Sequence, residues 1–146
     1  MRYFEDFFAG ETCDLGSVVV DHDEMVAFAK RFDPQPFHID PEAAEHSSFG
    51  GLIASGWFTG SAFMRLYVDS ILKDSASQGS PGLEEMRWRR PVRAGDTLHG
   101  WTHITDVRPS ETNPGRGTIF TDSELRNQDG EVVMTLRARG MFGRRP

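Results

Sequence analysis

The densest run of reactive side chains is Phe32-Asp33-Pro34-Gln35-Pro36-Phe37-His38-Ile39-Asp40-Pro41. Its three prolines lock φ repeatedly, which lowers the entropy of an irregular loop and holds neighbouring polar groups still. A carboxylate and an imidazole five residues apart, Asp33 and His38, meet if that loop curves, and such a pair can orient a water and move protons. The same spacing equally suits an Asp33 that caps a turn beside an ordinary loop histidine.

A second segment, Gly50-Gly-Leu-Ile-Ala-Ser-Gly-Trp-Phe-Thr-Gly-Ser61, places a glycine at a helix start. Free N–H groups there stabilise negative charge, so the backbone at Gly56 suits a carbonyl oxygen that becomes an enolate; a flexible entry into a packed helix is the plainer reading. Ser61 has no base at suitable spacing and reads as a pocket or hydrogen-bonding residue rather than a nucleophile. His99 and His103 are four apart in a segment that reads as strand, where four residues span roughly 13 Å, so no metal site is assigned. Arg87, Arg89, Arg90 and Arg93 form a local basic run suited to phosphate contacts; a solvated strand face fits equally.

The elements that must position these groups fall into two halves, divided by the linker-like Lys73 to Gly82. Before it, Asp21 and Glu24 have capping-box spacing and open a helix that should stop at Asp33, because Pro34 disfavours helical geometry in the residue before it. Asp40 and Pro41 open a short second helix. From Ser55 to about Leu72 runs the longest helix, with Trp57, Ser61, Met64, Val68 and Ile71 on one face and Phe58, Ala62 and Leu66 beside it. Gly56 and Gly60 lower its propensity and imply a close approach of backbone or ligand; at Gly60, helix-on-sheet packing is the expected cause. With Leu15 to Asp21 as a first strand, the alternating stretches at 83–92, 97–107, 117–127 and 131–142 give five strands, joined by tight connections at Arg93–Asp96 and Asn127–Gly130. Five strands and one long buried helix predict an α+β domain in which an antiparallel sheet wraps the helix.

Composition agrees with a single domain over residues 1–146, since a chain of this length buries roughly 70% of its unfolded surface and needs no disulfide to do so. The lone Cys13 points to a reducing compartment, read as the cytoplasm, and the start of the chain lacks the apolar core of a secretory signal. A formal charge of -6 argues against a general nucleic-acid or anionic-membrane binder, and no apolar run is long enough to span a bilayer.

DPQPFH, followed about twenty residues later by ASGWFTGSAF, resembles the MaoC-like acyl dehydratases, the (R)-specific enoyl-CoA hydratase branch of the hotdog fold. The family pattern is G-D-x-N-P-[LIV]-H, then a helix that begins H-G-M and contains a serine. The opening YFEDFFAGE and the later RPVRAGDTLHG are similar too. By that resemblance Asp33 and His38 take the dyad positions, Gly56 the oxyanion position at the helix start, and Ser61 the serine position, with Ser55, Trp57 and Gln35 in the substrate-binding surround. This chain departs from the pattern with Phe32 for Gly, Gln35 for Asn, Phe37 for an aliphatic residue and Ser55-Gly56-Trp57 for His-Gly-Met. Gln35 keeps an amide, and the bulky Trp57 would narrow or redirect an acyl pocket.

The resemblance implies a lyase of fatty acid metabolism that reversibly hydrates an enoyl thioester to a 3-hydroxyacyl thioester. It implies no cofactor, coenzyme A being part of the substrate, with acyl-CoA or acyl carrier protein as partner and a homodimer or higher homo-oligomer as assembly. A hotdog acyl-CoA thioesterase and a non-catalytic acyl-thioester-binding subunit are the competing readings.

Overall fold

The computed structural model describes all 146 residues. Chain order is a 3-10 turn at Phe4–Asp6, β1 (Thr12–Val19), α1 (His22–Phe32), α2 (Pro36–Ile39), α3 (Pro41–Glu45), α4 (Gly56–Ser70), a 3-10 turn at Leu72–Asp74, then β2 (Gly82–Trp88), β3 (Thr97–Pro109), β4 (Arg116–Arg126) and β5 (Val132–Gly143). The five strands form one antiparallel sheet in the order β1-β3-β4-β5-β2, so β1 and β2 are its edges.

Local chemistry explains where the helices begin. The Asp21 carboxylate accepts the Glu24 N–H at 2.9 Å and caps α1, while Asp40 accepts from Glu42 and Ala43 ahead of Pro41 and caps α3. The Ser55 hydroxyl accepts the Trp57 N–H at 3.3 Å and caps α4. α1 ends at Phe32 with Asp33 outside helical geometry, as Pro34 requires. The first strand differs from expectation: it starts at Thr12, because Thr12, Cys13 and Asp14 pair with β3, and it stops before Asp21, which is taken by the helix cap.

Along β4 the inward residues Ile119, Thr121, Ser123 and Leu125 are buried, and they meet Leu98 and Ile104 of β3, Met134, Leu136 and Phe142 of β5, and Phe58, Phe63 and Leu66 of α4. This is the sheet-on-helix core that the alternating pattern predicts. The face of α4 is a correction, however. Phe58, Thr59, Phe63 and Leu66 are buried, whereas Trp57 is 60% exposed and Met64 46%. A helix apolar around most of its circumference has no unique amphipathic direction, so its periodicity alone did not identify the buried stripe.

Lys73 to Gly82 is another correction. It reads as a linker but is pinned along the core: Ala76 N–H donates to Arg2 O at 2.8 Å, Gln78 N–H to Met141 O at 2.7 Å, and Gly143 N–H to Ala76 O at 2.8 Å. Small residues here let the backbone approach the end of β5 closely. No helix is long and apolar enough to cross a membrane.

The N-terminal segment closes the far end of the core, where the buried Phe4 ring lies over Gly117 of β4. A Cβ on Gly117 would lie 2.4 Å from that ring. Gly117→Ala is therefore expected to cost about 1–3 kcal/mol by overpacking and to lower Tm by several degrees in a thermal melt. An unchanged Tm would show that Phe4 is not held there.

Candidate functional site

Asp33, His38 and the residues before α4 come from three separate stretches of chain, and backbone hydrogen bonds stitch them together. Ile53 N–H donates to Phe37 O at 3.2 Å and Ala54 N–H to Val92 O at 2.7 Å, so the strand-like approach to α4 is held between α2 and the segment following β2. Arg93 adds a side-chain tie, donating to the carbonyls of Phe49 and Leu52. The stretch containing His38 is not simply an irregular loop: Pro36 opens the single helical turn α2, with Gln35 as its N-cap.

That turn buries His38 and brings its Nδ1 within 2.8 Å of the Ile53 carbonyl oxygen. A carbonyl can only accept, so Nδ1 carries the hydrogen and Nε2 of the neutral ring presents a lone pair. Nε2 lies 3.3 Å from Asp33 Oδ2. The dyad that the sequence spacing proposed is thus brought together in space.

Asp33 is held from both sides. Gln35 Nε2 donates to Oδ1 at 2.7 Å and the Ser55 hydroxyl donates to Oδ2 at 2.8 Å. Burial pushes the Asp33 pKa up, but the hydrogen bonds from Gln35 and Ser55, with the neighbouring His38 acting in the same direction, outweigh it, and the net displacement is downward. Asp33 is consequently a carboxylate at neutral pH. Ser55, which is fully buried, links this carboxylate to the start of α4 because the same oxygen caps the helix.

The first turn of α4 faces the pair. Phe58 and Thr59 donate to the Ser55 carbonyl at 3.0 and 3.1 Å and Trp57 to the Ser55 hydroxyl, which leaves the Gly56 N–H as the donor available to a ligand. Gly56 is required here for a steric reason as well. A Cβ on it would lie 2.4 Å from Cε2 of Trp88, whose indole rests on the glycine and donates to its carbonyl at 2.9 Å. Trp57 meets Trp88 edge-on at 5.5 Å. Asp33, His38, Gly56, Trp57, Thr59 and Trp88 together line an open cleft of about 410 Å³.

The structure does not bring Ser61 to this cleft. Its hydroxyl donates to the Trp57 carbonyl at 2.8 Å, on a side of α4 facing Val18, Val20 and Phe28. Counting from Gly56, the inward position falls on Thr59, which is buried and was not singled out from the sequence. Trp88 was also missed, since a tryptophan in an alternating strand gives no sign that it will fold over a glycine in another element. Of the basic run, Arg87 pairs with Glu85, Arg90 with Glu131 at 2.9 Å and Arg93 with loop carbonyls, while Arg89 reaches Thr135 and borders the cleft. His99 and His103 point to Asp14 and Thr12 of β1, at 2.6 and 2.9 Å.

A family model described as the MaoC like domain matches residues 8–123, a span holding Asp33, His38, Ser55 and Gly56. The chain belongs to the MaoC-like domain family. A crystal structure of the MaoC-like dehydratase from Rhodospirillum rubrum is similar at 40% identity and a TM-score of 0.89, covering 100% of this chain and 99% of that one. An (R)-specific enoyl-CoA hydratase of the same organism is 23% identical over 144 residues, covering 96% of this chain and 95% of its own. A Mycobacterium tuberculosis protein described as a double hotdog fold matches with a TM-score of 0.82 at 17% identity, covering 99% of this chain and 45% of that one. The five-stranded antiparallel sheet around the central helix of this MaoC-like chain is the hotdog fold.

The Ser55 hydrogen bond is one of the forces that lower the Asp33 pKa, so its removal has a definite sign. In Ser55→Ala, an NMR titration of the Asp33 carboxyl is expected to show its midpoint at higher pH than in the parent, with stability reduced by about 1 kcal/mol through the lost α4 cap. A midpoint that stays put would show that Ser55 does not support the carboxylate.

Proposed function

We propose that this MaoC-like protein is an acyl-thioester hydratase, adding water reversibly across a trans-2-enoyl thioester. The observation carrying this reading is the convergence of an ionised Asp33 and the His38 Nε2 lone pair beside the Gly56 N–H. Both dyad atoms accept, and one water has two hydrogens to give; a water seated beside the 3.3 Å gap and donating to both is held with its oxygen lone pairs turned toward a bound substrate.

In the forward direction the water oxygen bonds to C3 of the enoyl group as the C2–C3 π electrons move onto the thioester carbonyl. The dyad takes one water proton. Negative charge collects on the thioester oxygen, where the Gly56 N–H, at the positive end of α4, stabilises it; a donor of this kind is typically worth about 3 kcal/mol. The enolate then collapses, the dyad returns one proton to C2, and both groups regain their starting states. Attack and protonation come from the same side because both proton carriers lie on that side. Asp33 and His38 exchange the proton as a unit. The steps are acid–base throughout, and the reading assigns them no cofactor; by resemblance the product is the R alcohol.

The reading includes self-association. Trp57, Met64, Leu83 and Trp88 are large, apolar and exposed, and they lie on α4 and the free edge strand β2, where a second copy would cover them. The assignment to acyl-CoA or acyl carrier protein thioesters rests on the family resemblance, supported by the MaoC-like domain match.

Crotonyl-CoA tests the reaction. Incubation with the protein should remove the conjugated enoyl absorbance without releasing free thiol, and Asp33→Asn and His38→Ala should each lower kcat/KM by about 10²–10⁴-fold with the fold retained. Thiol release would identify a thioesterase instead, and saturable binding without turnover would identify an acyl-thioester-binding subunit.

A further inference from the structure

A second cavity, about 210 Å³ and mostly apolar, lies further along α4 from the dyad cleft. Phe63, Tyr67, Leu83, Met86, Ala138 and Phe142 are among its walls. Both spaces are lined in part by α4 and β2, the cleft by Gly56 and Trp88 and the cavity by Gly60 and Met86, and at each a β2 side chain lies on a glycine of the helix. Trp88 sits on Gly56, and one step back along β2 the Met86 ε-methyl lies 3.3 Å from where a Cβ on Gly60 would be. The repeat is geometric: four helical residues rise about 6 Å and two strand residues about 6.6 Å, so a glycine every fourth position of α4 meets every second residue of β2.

The two β2 residues differ in freedom. Trp88 is anchored through its N–H to the Gly56 carbonyl and packs against Trp57. Met86 has an unbranched side chain with three rotatable bonds, and its tip is the part that reaches Gly60. For an apolar chain attached to a thioester at the dyad, the second cavity along α4 offers a continuation lined by apolar side chains. Met86 stands across it.

We propose that Met86, seated on Gly60, closes the apolar cavity from the reaction cleft and restricts the protein to short acyl chains. This rests on the acyl-thioester reading of the cleft. The restriction is a matter of one side chain's reach, so shortening it opens the cavity while the dyad and Gly56 are left in place.

The test compares Met86→Ala with the parent on crotonyl-CoA and trans-2-decenoyl-CoA. The parent should favour crotonyl-CoA, and Met86→Ala should raise the decenoyl-to-crotonyl ratio of kcat/KM by about tenfold or more. Met86→Val, suited to a strand, serves if the alanine variant does not fold. Adding Ala138→Phe to either variant refills the cavity and should abolish the gain. A parent that already prefers the longer chain, an unmoved ratio, or a gain surviving Ala138→Phe would each overturn the proposal. Saturated butyryl-CoA and decanoyl-CoA, measured by calorimetry, separate this from the reaction itself. They cannot be hydrated, so a Met86→Ala gain in decanoyl-CoA affinity supports the gate even if no enoyl thioester turns over, and an unchanged preference contradicts it.

Discussion

The hydrogen bond from His38 Nδ1 to the Ile53 carbonyl is the constraint on which the site depends. It fixes the ring's orientation and its neutral tautomer together, and so decides that the nitrogen facing Asp33 is an acceptor. The Ile53 carbonyl is itself fixed, because the N–H groups of Ile53 and Ala54 are bonded to Phe37 and to Val92. Dyad geometry is therefore a property of the backbone on both sides of α2, and the side chains inherit it.

Around that fixed imidazole, the rest of the site keeps a carboxylate charged in partial burial. A half-wet carboxylate among apolar neighbours would tend to take up a proton; two neutral donors, Gln35 and Ser55, prevent it without supplying a competing permanent charge. Ser55 serves two purposes at once, since a hydroxyl can donate to Asp33 and accept from the Trp57 N–H. Movement of α4 is thereby coupled to the position of Asp33. The glycines of α4 follow the same logic: where sheet side chains must come down onto the helix, Cβ atoms are absent.

Much of this was legible in the sequence because it rests on local rules. Asp21, Asp40 and the prolines at 34 and 41 mark helix ends through capping and φ restriction, and alternation after Gly82 marks the strands. Asp33 and His38 stood out as a reactive pair in a stiffened segment, and they do converge. What escaped depends on contacts between distant segments. Whether Trp57 or Phe63 turns inward is set by where the sheet lies, and neither Trp88 on Gly56 nor the choice of Thr59 over Ser61 has any local signature. The pinned stretch at 73–82 has a linker's composition because the small residues that suit a flexible tether also suit a backbone laid closely against a strand.

The most direct test of the account is the tautomer of His38, read by nitrogen NMR of the neutral ring in the intact protein. The account predicts a protonated Nδ1, with a coupling across the hydrogen bond to the Ile53 carbonyl, and an Nε2 bearing a free lone pair. A neutral ring protonated at Nε2 instead would mean that His38 donates directly to Asp33 and leaves no paired acceptors for a water, which contradicts it.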